Sequence, residues 1–351
     1  MKKNYSKIIS TIFIILFILF FSYFNWEEYI NHYELVKKQQ LTKSEVLAKT
    51  ESFSIKKIRN LDKIDLYYTP YKDLINKLTY KIENAKHHVY LEVYMLTETR
   101  IQNALVKAKQ KWIDVKVVLE KNPYMSPWLN KKAFEFLKNR WIDVVYSNSK
   151  NFSLNHSKMI LIDNEIFLST GNFTYSSFAH NREFMFFIND IKLYSRLEEL
   201  FLWDYSWILT YVYDDDLVIS PSYSRIKIEK ILNESKESIK MYFPYLSDEK
   251  LLKILINKAK TWVKIELILW QDSKDDWEDI NRLKENNIKI KVIKSPKIHS
   301  KSILIDDKYL YLGSINFSKY SLDVNREIWV IFSNIEAIEK FKKVFKKDFK
   351  K

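Results

Sequence analysis

No cysteine occurs in the 351 residues, which excludes a disulfide framework, a thiolate zinc site and a cysteine nucleophile. Glycine is nearly missing: average usage of about 7% would give roughly 25, and the chain has 2, Gly171 and Gly313. Few positions are therefore free to take a left-handed backbone at no cost, so other residue types must stand at some turns. Tryptophan is the counterweight, with 10 copies. Acidic residues are also in deficit, 44 against 58 Lys and Arg, and the net charge of +14 favours partners that carry phosphate, either an anionic lipid surface or nucleic acid. What remains is ordinary: 47% hydrophobic and 29% charged residues exclude a disordered chain, and the length suits two domains or one duplicated unit.

At the amino terminus Lys2, Lys3 and Lys7 precede an uncharged run from Ile8 to Phe24 rich in Ile, Leu and Phe. The run is at the short edge of a membrane span, and Asn25, Trp26, Glu27 and Glu28 follow it instead of a small-residue cleavage site. The expectation is a single-pass membrane anchor over 1–26, with the lysines on the cytoplasmic side and the rest of the chain on the extracytoplasmic side. Residues 27–61 read as a polar, partly helical stalk.

From residue 62 the chain repeats itself. The first copy has DLYYTP, a helical stretch, HHVYLEVYML and a helix leading into WIDVKVVLEK; the second has DLVISP, a helical stretch, SIKMYFPYL and a helix leading into WVKIELILW. Each copy ends in a closing block, from His156 in one and His299 in the other, and then a helix with matching tails, LFLWDY and VFKKDF. Short apolar strands alternate with amphipathic helices, so the expected class is α/β, with two tandem α-β-α halves over 62–213 and 214–351 related by a pseudo-twofold axis. Such an axis would bring the closing blocks face to face.

Trp112 and Trp262 stand at equivalent places, each between a lysine-rich helix end and an apolar strand, where a left-handed C′ residue is usual and Gly or Asn is preferred. Trp141 aligns with Asn287. The pattern predicts that Trp112, Trp141 and Trp262 are glycines in the natural protein, with UGA, a codon that some bacteria read as glycine, written as tryptophan.

The closing blocks hold the chemistry-bearing residues. The first has His156, Lys158, Asp163, Ser169, Thr170, Asn172 and Glu183; the second has His299, Lys301, Asp306, Gly313, Ser314, Asn316 and Glu327. Strand alternation puts His and Lys on one face. Lysine gives a point charge for phosphate oxygens, asparagine and hydroxyls give hydrogen bonds, and histidine can be nucleophile or acid. A carboxylate on the far imidazole nitrogen fixes the tautomer, a role that fits Glu183 and Glu327. No metal is expected, because a lysine beside each candidate ligand would repel a cation. The first copy is one residue shorter between its Asp and the turn, which leaves the shape of one phosphate-binding turn open.

This arrangement resembles the phospholipase D superfamily, whose signature is HxKxxxxD followed by GSxN, over roughly residues 62–351. The resemblance implies a single site from two motifs, a phosphohistidine intermediate and no cofactor. Carried onto this chain, the catalytic set is His156, Lys158, Asp163, His299, Lys301 and Asp306, with His156 as nucleophile, His299 as acid and the two aspartates as framework. Asn172, Asn316, Thr170 and Ser314 would hold the phosphate, and Glu183 and Glu327 would orient the histidines. The anchor and the positive charge point to phospholipid as substrate, by hydrolysis or transfer; a metal-independent endonuclease and a non-catalytic membrane-tethered binding protein remain as alternatives.

Overall fold

A computed structural model describes residues 41–124, 126–270 and 277–351. The apolar run from Ile8 to Phe24 and the first part of the expected stalk lie outside the described residues. Among those described, no helix is long and apolar enough to cross a membrane.

Strands β1 (Ile64–Tyr68), β2 (His88–Val93), β3 (Asp114–Leu119), β4 (Asp143–Tyr146), β5 (Lys158–Ile162) and β6 (Glu165–Ser169) are followed by the short β7 (Asn181–Arg182) and by β8 (Phe184–Ile188). The second half supplies β9 (Leu217–Ser220), β10 (Ser238–Phe243), β11 (Lys264–Trp270), β12 (Lys289–Ile293), the short β13 (Lys297–Ile298), β14 (Ser302–Ile305), β15 (Tyr309–Gly313) and β16 (Glu327–Phe332). They form two sheets of seven strands, β1-β8-β6-β5-β2-β3-β4 and β9-β16-β15-β14-β10-β11-β12. Position for position the orders are the same, so the duplication in sequence is a duplication in topology. β2, β3 and β4 run parallel, as do β10, β11 and β12, and the remaining pairs of each sheet are antiparallel.

The central strands are mostly apolar and buried along nearly their whole length because both faces of each sheet are covered. In the first half Leu74 and Leu78 of helix Lys72–Glu83 and Ile101 and Leu105 of helix Thr99–Gln110 fill one side. An aromatic seam joins the halves. Phe186 meets Phe332 at 6.0 Å between ring centroids, Phe184 meets Tyr242 at 5.6 Å, and Phe341 of the C-terminal helix (Ile335–Phe349) lies 4.9 Å from Phe184.

Buried ion pairs cross the same seam. Arg182 Nε lies 2.7 Å from Asp348 Oδ2 and Arg326 Nε lies 2.8 Å from Asp204 Oδ2. Asp204 and Asp348 are the aspartates of the matching LFLWDY and VFKKDF tails, and each finds its arginine in the other half. That is why the tails repeat.

Residues 42–61 depart from the expected stalk. Helix Lys43–Glu51 buries Val46 and Thr50, and Phe53, Ile55 and Ile58 join the core of the second half. Arg59 bonds Asp190 of the first half and Asp216 at the start of the second. The cause is the apolar residues at helical and near-helical spacing, which a solvated spacer would not carry.

The one-residue difference lies, as expected, between the Asp and the turn of each copy, and it falls in the hairpin and not in the turn itself. β5 and β6 are joined by Asp163 and Asn164, β14 and β15 by Asp306, Asp307 and Lys308. The shortening is thus in a hairpin at the opposite end of β5 from His156. The turns after β6 and β15 are equally long, so the phosphate-binding turn is unaffected in length.

The tryptophan positions have the left-handed backbone expected of them: φ is 67° at Trp112, 62° at Trp141, 68° at Trp262 and 63° at Asn287. Each closes its helix in the Schellman pattern, as where Trp112 N–H donates to Lys109 O and Ile113 N–H to Ala108 O. Trp207 does the same after helix Ile191–Tyr205, with φ 63°. The side chains of Trp112, Trp141 and Trp262 stand in solvent, 95%, 85% and 92% exposed, so aromatic packing does not explain them.

Candidate active site

The two histidines stand at the approach to β5 and to β14. Each approach segment pairs with the other half rather than its own. β13, ending one residue before His299, runs parallel to β7, and Asn155 forms the equivalent parallel bridge with Arg326. His156 N–H donates to Arg326 O at 2.8 Å and His299 N–H to Arg182 O at 3.3 Å. Because the Glu follows the Arg, this pairing delivers each glutamate to the opposite histidine: His156 Nδ1 lies 2.8 Å from Glu327 Oε2, and His299 Nδ1 lies 2.6 Å from Glu183 Oε1. Both carboxylates are wholly buried. Each imidazole is thus left with Nε2 away from the glutamate, and both histidines line one cavity of about 640 Å³.

Lys158 and Lys301 are buried beside them. Their ammonium groups donate to the carbonyls of His156 and His299, and Lys301 also lies 3.1 Å from the His299 ring nitrogens. Burial lowers Lys158 well below the ordinary lysine range and brings Lys301 down to about 8. Burial likewise pushes His156 down to about 4 against the opposing pull of Glu327, and lowers His299 against that of Glu183. Burial raises Glu183, but His299, Lys301 and Thr170 outweigh it and hold the carboxyl low.

The free site is therefore short of protons, and an anion entering it would restore them. Because burial lowers both Lys158 and Lys301, binding of a phosphodiester such as glycerophosphoglycerol near pH 8 is expected to be accompanied by net proton uptake. Calorimetry in buffers of different ionisation enthalpy measures it; proton release on binding would contradict this picture.

The other sequence-predicted residues divide. Asp163 and Asp306 lie at the opposite ends of β5 and β14 from the histidines. The Asp163 carboxylate accepts from the backbone N–H groups of Lys86, His87 and His88, and Asp306 from those of Lys236, Glu237 and Ser238. They tie strands together, as framework carboxylates do. The Thr170 hydroxyl is committed to Glu183 Oε2 at 2.7 Å, while the Ser314 hydroxyl accepts from Ile328 N–H at 3.0 Å. Asn316 lines the cavity. Asn172 sends its amide toward Met95 Sδ at 3.7 Å. The Oδ1 atoms of both asparagines are buried without a hydrogen-bond partner among the described residues.

Several lining residues escaped the sequence reading. Asn325 reaches the cavity and also has a buried, unpartnered Oδ1; its counterpart Asn181 donates to Glu183 Oε1 at 3.2 Å. The signal was present in the repeated Asn-Arg-Glu, from which only the glutamate was used. Tyr94, directly after β2, and Tyr245, two residues after β10 and so one place out of register with it, both line the cavity, with Tyr94 edge-on to His156 at 4.8 Å. Gly171 has a steric reason to be glycine, since a Cβ there would come within 2.5 Å of the Glu183 carboxyl carbon.

The paired, buried His-Lys-Glu arrangement across two repeated sheets sets the chain in a class that its sequence relatives share. The chain belongs to the phospholipase D superfamily: the family described as cardiolipin synthase, PLD-like domain matches residues 78–205 and 228–349. Among its relatives are cardiolipin synthase 1 of Bacillus anthracis, 22% identical over 77% of this chain and 63% of that protein, and cardiolipin synthase 1 of Staphylococcus epidermidis, 24% identical over 82% of this chain and 68% of that protein. The chain thus spans less than two thirds of the length of the Bacillus relative. Phosphatidylserine synthase of Haemophilus influenzae has the same fold, with a TM-score of 0.69 at 12% identity over 88% of this chain and 91% of that one. So does polyphosphate kinase of Porphyromonas gingivalis, with a TM-score of 0.63 at 15% identity over 81% of this chain and 50% of that one. Two such different names on one fold make the site, not the fold, the guide to substrate.

Proposed function

We propose that the chain is a phosphodiesterase of the phospholipase D type that acts on phospholipids, transferring or hydrolysing the phosphatidyl group through a phosphohistidine. The observation that carries this is the pair of imidazoles on one cavity, each held through Nδ1 by a buried glutamate of the opposite half. In the first step Nε2 of His156 attacks phosphorus, the bond from phosphorus to the departing alcohol oxygen breaks, and His299 gives that oxygen a proton. In the second, an alcohol or water surrenders its proton to His299 and attacks phosphorus, and the N–P bond breaks. Lys158, Lys301 and Asn316 would hold the phosphoryl oxygens with Asn172, and Thr170 and Ser314 would support the turns behind them.

The lipid reading rests on the cardiolipin synthase relatives, on the net charge of +14, and on the apolar run from Ile8 to Phe24, which would tether the site beside head groups as a single-pass anchor with the catalytic halves 62–213 and 214–351 on the extracytoplasmic side. The test incubates the full chain, in detergent, with phosphatidylglycerol or phosphatidylcholine vesicles and separately with plasmid DNA. Release of head group or formation of a new phosphodiester lipid supports the reading. DNA cleavage that disappears in His156→Ala, with lipids untouched, would move the chain to the endonucleases, and no turnover of either would favour a binding protein. EDTA is expected to leave turnover unchanged, because lysine and asparagine donors stand where a metal would otherwise stabilise charge; loss in EDTA restored by added metal would overturn that.

A further inference from the structure

The two sides of the cavity are not equivalent. Two residues before each histidine the copies differ, with Leu154 on one side and Lys297 on the other, and both line the cavity. At the end of β3 and β11 they differ again, as Glu120 against Trp270. Glu120 is buried and turned into its own half, where it accepts from the N–H groups of Asn122 and Asn155 and from the Ser147 hydroxyl. Trp270 lines the cavity instead, and the Lys297 ammonium lies 3.9 Å from the centre of its ring. One side is thus apolar with its carboxylate locked away, and the other presents a cation. Lys297 is exposed, and among the described residues no carboxylate lies within ion-pair distance of it.

We infer that Lys297, held over Trp270, is a specificity residue that binds a second anionic group of the substrate, a phosphate separate from the one at the histidines. The inference deepens the phospholipid reading and rests on it. The scissile phosphodiester already has Lys158 and Lys301, both buried beside the imidazoles. A third ammonium at the rim, on one side only, matches a molecule with a further phosphodiester a short polyol away, as when an anionic phospholipid is the acceptor. A neutral alcohol or water would gain nothing from it. On the opposite side Leu154 with Tyr94 and Tyr124 offers apolar contact to the uncharged part of the donor.

The test compares two soluble ligands by calorimetry on the full chain in detergent: glycerophosphoglycerol, with one phosphodiester, and bis(glycerophospho)glycerol, with two. The wild-type chain is expected to bind the second roughly 10-fold more tightly, beyond the statistical factor of about two. Lys297→Met should remove that preference, acting mainly on the two-phosphate ligand, and Lys297→Arg should restore it. A preference that survives in Lys297→Met, an equal loss for both ligands, or no preference in the wild type would overturn the assignment of Lys297 while leaving the phospholipid reading intact. If the wild-type chain binds neither ligand, the phospholipid reading itself fails, and the inference with it.

Discussion

Either His156→Ala or His299→Ala is expected to lower phosphodiester turnover by roughly 10³-fold or more, with no compensation from the surviving histidine. The reason is the exchange of glutamates between halves. His156 depends on Glu327 and His299 on Glu183, so no half contains a complete pair. The variants should then separate by leaving group. With a nitrophenyl phosphodiester, whose phenolate departs with little help from an acid, His299→Ala should retain a burst of nitrophenol equal to one turnover, while His156→Ala should give none. The opposite result would exchange the two roles without harming the scheme. Glu183→Gln and Glu327→Gln should fall by roughly 10²- to 10⁴-fold, because a neutral amide no longer fixes the tautomer or stabilises the imidazolium. Full activity in either alanine variant would refute a joint site.

The second large effect concerns stability. Replacing Trp112, Trp141 and Trp262 together by glycine is expected to stabilise the chain by about 3 kcal/mol, since each non-glycine residue in the left-handed region costs roughly 1–2 kcal/mol and glycine gives back part of this as backbone entropy. The sites lie at separate helix ends, so the gains should add. A rise in midpoint of roughly 5 °C would report it. Trp207 is the internal comparison: it has the same backbone, but its indole N–H donates to Tyr146 O at 2.8 Å, so glycine there should gain less. Peptide mass spectrometry of the protein from its native source addresses the origin of these residues. Glycine masses at 112, 141 and 262 would establish that UGA is read as glycine, and tryptophan masses would end that explanation.

Most of the architecture was legible because the chain states it twice. A strand order is hard to read from one copy, but two copies with the same strands, helices and tails leave little freedom, and the left-handed turns followed from helix-end chemistry alone. The histidines and lysines were legible for the same reason. Which glutamate meets which histidine was not. The spacing from His to Glu is 27 in one copy and 28 in the other, so the sequence treats own-half and cross-half pairing alike. The choice is made by backbone pairing of β7 with β13, two residues long and without a sequence signature. The commitment of Thr170 to Glu183 was hidden for the same reason, since it needs the carboxylate already in place. Residues 42–61 were misread because their charged residues mask Phe53, Ile55 and Ile58, which pack into a core formed by residues 218–331 of the second half, far along the chain.

The exchanged glutamates also bear on how such a chain can change. A lesion in one repeat disables the imidazole of the other, so neither copy can decay quietly while its twin carries the load, as duplicated modules often do. The copies do differ, at Ser169 against Gly313 and Thr170 against Ser314, in the hairpin turns, and at the rim where one side carries Leu154 and the other Lys297. Mutual dependence at the centre thereby preserves two near-identical motifs, while the margins are free to become unlike.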